Sequence, residues 1–268
     1  MPKGIWIISL EVIPLNLEPF IFDCEVFAYD WLFVFKNKVT GEYTEIWNDN
    51  EAVEQFMTQE PLLAGFNNKH YDQFILKAVL SGFTPEEIKA VNDFIIVGGH
   101  EGWEYAPLRD CGIFFDQYDL MDDCQMGLSL KAIEAHLGMD IRETTVPFNI
   151  DRPLTEDEKR EVEFYCRHDV DATDRLDDLR QGYLSSKLTL GREKGLYPAK
   201  ALYMTNAKLT AAYLDAEQKP HYDEREYQYP PKLLRQYIPQ EVFDFFERLK
   251  DKSIPDEVVF KEKLDLMV

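Results

Sequence analysis

The run Phe20-Ile21-Phe22-Asp23-Cys24-Glu25-Val26-Phe27 sets the strictest condition on the fold. Its apolar and aromatic residues are those of a buried β-strand, yet it carries two carboxylates. Side chains alternate along a strand, so Asp23 and Glu25 share a face, about 7 Å apart. Two like charges buried side by side are costly unless a cation lies between them. A divalent metal is the simplest neutraliser, and hard carboxylate oxygens suit Mg2+ or Mn2+. An acid-x-acid pair is a weak signal alone and needs support from elsewhere in the chain.

The 268 residues are enough for one or two domains with a full core, and 45% hydrophobic content with 13% aromatics indicates a folded chain. No apolar run approaches the ~18–20 residues of a membrane span, so no membrane partner is expected. Met1-Pro2-Lys3-Gly4 is followed by a short apolar run without the small-residue cleavage site of a secretory signal. The expected location is therefore the cytoplasm. Cys24, Cys111, Cys124 and Cys166 include no C-x-x-C pair, which points to reduced, mostly buried thiols and away from a zinc ribbon or redox motif. A formal net charge of −21 argues against a broad electrostatic grip on nucleic acid. It leaves room for an enzyme that holds a strand end through metals, aromatics and a few Lys or Arg side chains.

In chain order, strands are expected at about 20–27, 29–35 and 42–47, a meander closed by the Thr40-Gly41 turn. A short helix capped within Asn48–Asn50 runs to about Thr58. A strand at 62–66 ends at Asn67-Asn68, and a helix at about 69–81 carries Asp72 in its first turn, where the dipole favours a carboxylate. Thr84-Pro85 opens another helix. Residues 98–112 read as loop, 113–120 as strand, and 128–138 as a helix stopped by Gly138. After a connector at 139–154, Thr155-Glu156-Asp157-Glu158 is a capping box that starts a long helix to about Tyr183. On it Tyr165 and Asp169 stand four apart, one turn apart on one face. Further helices are expected at 199–215 and around Phe243–Phe246, with a Tyr-rich break at 220–231. This order suits an α/β domain with a mixed sheet whose first strand is central.

Three pieces carry the chemistry: Asp23-Cys24-Glu25, Asn68-Lys69-His70-Tyr71-Asp72 and Tyr165-Cys166-Arg167-His168-Asp169. Each has an ordinary reading by itself: a solvated helix aspartate, a helix-terminal decoration, a half-buried core tyrosine. In this order and spacing they resemble the three exonuclease motifs of the DnaQ-like DEDD 3′–5′ exonuclease superfamily. Tyr165, four before Asp169, matches the tyrosine-bearing (DEDDy) branch; the histidine branch would place His where this chain has Phe164. "LSLKAIEAHLGMDI", "VPFNIDRPLTEDE" and "TNAKLTAAYL" further resemble the N-terminal exonuclease region of phage-encoded DNA polymerases.

That resemblance implies an RNase H-like mixed sheet with the first strand central and flanked by helices. It implies an exonuclease domain at 1–182, with 183–268 as a helical extension, a junction to a polymerase domain. The activity implied is hydrolysis of single-stranded DNA 3′ ends to nucleoside 5′-monophosphates by two divalent ions, Mg2+ or Mn2+, in DNA replication and proofreading. Asp23, Glu25, Asp72 and Asp169 would be the metal ligands, and Tyr165 would orient a water. Phe27 could stack on bases, and Asn68 and Lys131 could touch substrate, against ordinary readings as packing or solvated positions. A polymerase domain or subunit is the implied protein partner, with the host bacterial cytoplasm as compartment if phage-encoded. An RNA exonuclease on the same scaffold and a non-catalytic polymerase-associated module are the alternatives; the second would be expected to have lost one of the four carboxylates.

Overall fold

The two hydrogen-bonded sides of β1 (Phe20–Val26) are unequal, and the site depends on that inequality. A computed structural model describes residues 18–124, 127–216 and 239–250. In it β1 pairs along its whole length with β2 (Trp31–Asn37), antiparallel, through a turn closed by Phe27 N–H donating to Asp30 O at 2.7 Å. β2 pairs in turn with β3 (Tyr43–Trp47), also antiparallel. On its other side β1 meets the parallel β4 (Leu63–Gly65) through Phe20 and Ile21 alone. β4 pairs with the parallel β5 (Gln117–Asp119), giving a mixed five-stranded sheet of order β3-β2-β1-β4-β5 with β1 central.

Helices cover both faces. α1 (Asn50–Met57), α2 (Asp72–Leu80) and α3 (Pro85–Ile96) lie on one side, where Phe22, Cys24 and Val26 of β1 join Phe33, Phe35, Val53, Ile75 and Ile88. On the other side Ile21, Leu32, Val34 and Ala64 pack with Val162, Cys166 and Val170 of α6 (Glu156–Glu193). Between them the chain forms α4 (Ala106–Arg109) and α5 (Leu130–Leu137). α7 (Pro198–Tyr203) and α8 (Asn206–Tyr213) then pack on the later part of α6.

Local chemistry explains most boundaries. Thr84 with Glu87, and Thr155 with Glu158, form reciprocal capping boxes at the starts of α3 and α6. Ser129 caps α5, and Gly138 ends it in the left-handed region at φ +68°.

The structure corrects several expectations. The strand expected at 113–120 is only Gln117–Asp119; Phe114, 88% exposed, is outside it. The loop at 98–112 contains a single 3-10 turn at Gly102–Glu104 and α4. α6 runs ten residues past Tyr183, straight through the division expected at 182/183. Leu184 and Gly191 in that continuation are buried, and a Cβ on Gly191 would stand 2.4 Å from Ala201 Cβ. The first compact unit accordingly reaches Ala216. The helix expected over 199–215 is broken at Met204 and Thr205, both extended, because the Thr205 side chain caps a new helix by accepting from Lys208 N–H. α9 (Gln240–Lys250) belongs to a second unit and includes the expected Phe243–Phe246 segment. Residues 1–17 and the break at 220–231 lie outside the described residues.

Candidate metal centre

The shortness of β4 creates the site. The chain leaves the sheet after Gly65, with Asn67 in the left-handed region at φ +65°, so Phe22 to Val26 have no strand beside them on that side. Asp119 at the end of β5 fixes this departure: its carboxylate accepts from the N–H groups of Asn67 (2.9 Å), Lys69 (3.0 Å) and Met121 (2.9 Å). α2 then starts beside β1. Its first residue, Asp72, is 3% exposed and accepts a hydrogen bond from Cys24 Sγ at 3.1 Å. Asp23 and Glu25 point the other way, toward α6, because they alternate with Cys24. Carboxylates thus approach the same stretch of β1 from both layers.

α6 is set in rotation by charges along its length. Asp30 in the β1–β2 turn accepts from Leu154 N–H (2.8 Å) and Asn48 Nδ2 (2.7 Å) and pairs with Lys159 at 3.2 Å, tying down the start of the helix. Arg167 pairs with Glu45 on β3. Lys36 of β2 and Lys38 in the turn after it grip Asp171, Asp174, Asp177 and Asp178, at 2.6 to 3.0 Å. With α6 so turned, Tyr165, Cys166 and Asp169 face β1. Cys166 Sγ lies 3.5 Å from Asp23 Oδ2, and one ligand atom each from Asp23, Glu25 and Cys166 lie within 4.8 Å of one another. Such a group could hold a metal ion.

The electrostatics are those of crowded acids. Burial, then the charges of Asp72, Glu25 and Asp169, pushes the Asp23 carboxyl well above its ordinary range. Glu25 is raised by burial, then by Asp169 and Asp72, with Lys131 opposing. Asp72 is pushed up to about 7, chiefly by burial, with the Cys24 hydrogen bond opposing. Burial first, then Asp169 and Glu25, raises the Tyr165 hydroxyl above its ordinary value, so it stays protonated at neutral pH. Glu25 is 9% exposed and has no hydrogen bond or ion pair among the described residues. Asp23, Glu25, Asp72 and Asp169 thus repel one another with Lys131 as the opposing cation on Glu25, and of them Asp23 and Glu25, with Cys166, bring ligand atoms close enough to hold a metal ion.

No family model, curated protein or solved structure matches this chain.

The site residues inferred from sequence do not share one fate. Asp23, Glu25, Asp72, Asp169 and Tyr165 converge. Lys131 joins them, but as an internal cation: α5 aims its Nζ at Asp169, with Glu134 Oε1 at 3.4 Å and the Tyr165 ring centroid at 4.8 Å. Asn68 is fully buried, its carboxamide wedged between Gln117, 2.8 Å away, and the carbonyls of Gly65 and Tyr118, each 3.2 Å away. It braces the β4–α2 turn and is out of a substrate's reach. A Cβ on Gly65 would stand 2.8 Å from Asn68 Cβ, so this approach also explains the glycine. Phe27 is 1% exposed and stacks on Phe148 with centroids 5.3 Å apart, so it is a packing residue rather than a base-stacking platform.

Sequence reasoning missed Cys166, Glu134 and Asp119. Cys166 had a readable signal, three residues before Asp169 on the same helix; Glu134 stands likewise three after Lys131. Asp119 had none, since only the fold brings it to Asn67. A cleft of about 640 Å³ opens beside Glu25, lined by Tyr71, Asn92, Ile96, Phe148, Asn149 and Ile150 among others. Trp103, 62% exposed, is not in its wall.

Proposed function

We propose that this chain is a metal-dependent 3′–5′ exonuclease of the DnaQ-like DEDDy type, acting on single-stranded DNA ends as the proofreading module of a phage DNA polymerase. The observation that carries the reading is the mutual approach of Asp23, Glu25, Asp72 and Asp169, from three distant segments, with the buried Glu25 lacking a hydrogen bond or ion pair among the described residues. The strand order, antiparallel over β3-β2-β1 and parallel over β1-β4-β5, supports an RNase H-like fold.

Asp23, Glu25 and Asp169 would hold one divalent ion, and Asp23 with Asp72 a second, Mg2+ or Mn2+. When bound, such a pair stabilises the charge that gathers on the attacking and leaving oxygens of an in-line phosphodiester displacement. The chain's own residues supply the rest. Tyr165, kept protonated, donates a hydrogen bond and so orients a water without serving as its base. Lys131 holds Asp169 in place and leaves positive charge beside the reacting phosphate. The cleft beside Glu25 is where an unpaired strand end would enter, and Tyr71 and Asn92 in its wall are joined by a 2.7 Å hydrogen bond.

The test is digestion of matched 5′-labelled single-stranded DNA and RNA with Mg2+ or Mn2+, beside EDTA and Asp23→Ala/Glu25→Ala controls. A DNA ladder shortening from the 3′ end, abolished by both controls, is expected. Preferential loss of the RNA would transfer the reading to an RNA exonuclease, and no digestion of either would defeat it.

A further inference from the structure

The third donor beside Asp23 and Glu25 is a sulfur. Asp169 and Asp72 each have a protein partner, Lys131 and Cys24 Sγ respectively. Cys166 is fully buried, 3.5 Å from Asp23 Oδ2, on the helix face that also presents Asp169. Glu25, nine-tenths buried and without a hydrogen bond or ion pair among the described residues, has its carboxylate turned into the same space. The three ligand atoms lie within 4.8 Å of one another.

We propose that Cys166 joins Asp23 and Glu25 in the metal centre, giving it a higher affinity for a thiophilic dication, Zn2+ or Cd2+, than its carboxylates alone would have. The inference rests on the metal-centre part of the functional reading and assigns Cys166 as a ligand there. Oxygen-only sets suit Mg2+ and Mn2+, whereas a thiolate beside two carboxylates shifts preference to softer ions. Two carboxylates and one thiolate also make a three-ligand set of the kind that leaves Zn2+ an open position. The proton balance is simple: the entering cation replaces the proton on Sγ, and that proton passes to solvent.

The test uses Co2+ as an optical probe on the full chain, with Cys166→Ser, Cys166→Ala and Cys24→Ser beside the wild type. Near-ultraviolet circular dichroism identifies any variant that has failed to fold. A sulfur-to-cobalt charge-transfer band is expected in the wild type and in Cys24→Ser, and its absence in both Cys166 variants. Zn2+ affinity, measured by competition with a chelating dye, should fall by well over ~100-fold in Cys166→Ser, beyond the roughly 10- to 100-fold that loss of a neighbour of a ligand can cause. Mg2+ affinity should change by less than about 10-fold. The proposal is overturned by a band that persists without Cys166, by no band in the wild type, or by parallel loss of Zn2+ and Mg2+ affinity. The band is read without nucleic acid, so failed digestion overturns the nuclease reading and leaves this one standing.

Discussion

Cys24 Sγ donates to Asp72 Oδ1 across 3.1 Å, joining the middle of the central strand to the first residue of α2. The bond exists because β4 stops early and lets a helix start where a strand would otherwise continue. It places a carboxyl, pushed up to about 7 mainly by burial, within the field of Asp23 and Glu25. The carboxylate cluster is therefore under strain of like charge, which deleting a charge, protonation or a cation would relieve.

Asp72→Asn keeps the shape and the capacity to accept from Cys24 while removing a charge. In EDTA at pH 8 the ionised Asp72 costs on the order of 4 kcal/mol relative to the unfolded chain, from a rise of its pKa from 3.8 to about 7. The variant should melt about 5 °C or more above the wild type under those conditions. Its nuclease activity should fall about 100-fold or more. A melting temperature equal to or below that of the wild type would contradict the assignment of Asp72 to a crowded buried site.

The pH dependence has a definite sign. Asp72 titrates near 7 in the folded chain and near 3.8 unfolded, so between those values the folded state holds the extra proton. Its contribution is most favourable below about pH 4 and is lost as pH rises through 7; Asp23 and Glu25, raised in the same direction, reinforce the trend. Thermal melts in EDTA should thus show the contribution of this cluster falling from pH 5 to pH 8, with a smaller fall in Asp72→Asn. Added Mg2+ should raise the melting temperature more at pH 8 than at pH 5.

Tyr165→Phe removes a hydroxyl that stays protonated, leaving the carboxylates intact. The turnover of single-stranded DNA should drop by about 100-fold, as for loss of one aimed hydrogen-bond donor. Mg2+ binding measured by calorimetry should be nearly unchanged. Loss of both together would make the tyrosine a support for the metal centre rather than an aid to the water.

Ending the chain after Gly182 would cut α6 internally and remove α7, with buried Leu202, and α8, with buried Leu209. Each buried leucine stabilises by about 1.5–3 kcal/mol. That shortened chain should lose its cooperative melt, whereas one ending after Ala216 should keep it. Differential scanning calorimetry distinguishes the two, and equal transitions would restore the division at 182.

What was legible in the sequence was local. Alternation in Phe20–Phe27, the Thr84-Pro85 helix start, the Thr155/Glu158 box, Gly138, and the four-residue spacing of Tyr165 and Asp169 all act within a few residues, and each is found as read. What was not legible depends on partners far along the chain. The side chain of Asn68 looks available beside Asp72 until β5 covers it; that of Phe27 looks presentable until Phe148 lies on it. The continuation of α6 past Gly182 is decided by the docking of α7, which no local signal announces. Lys131 reads as a solvated helix lysine because Asp169, its partner, is 38 residues away.

α6 spans 38 residues, about 57 Å at the usual rise, without interruption. Its early turns carry Tyr165, Cys166 and Asp169, its middle engages Lys36 and Lys38, and its late turns seat α7 and α8. It therefore works as a shaft with three gears keyed to it. A single residue inserted between Asp169 and Asp174 would turn everything beyond it by about 100°, leaving each contact present in the sequence and out of phase in space. Length changes are absorbable in the connectors at 98–112 and 139–154, but along this shaft they would have to come in whole turns.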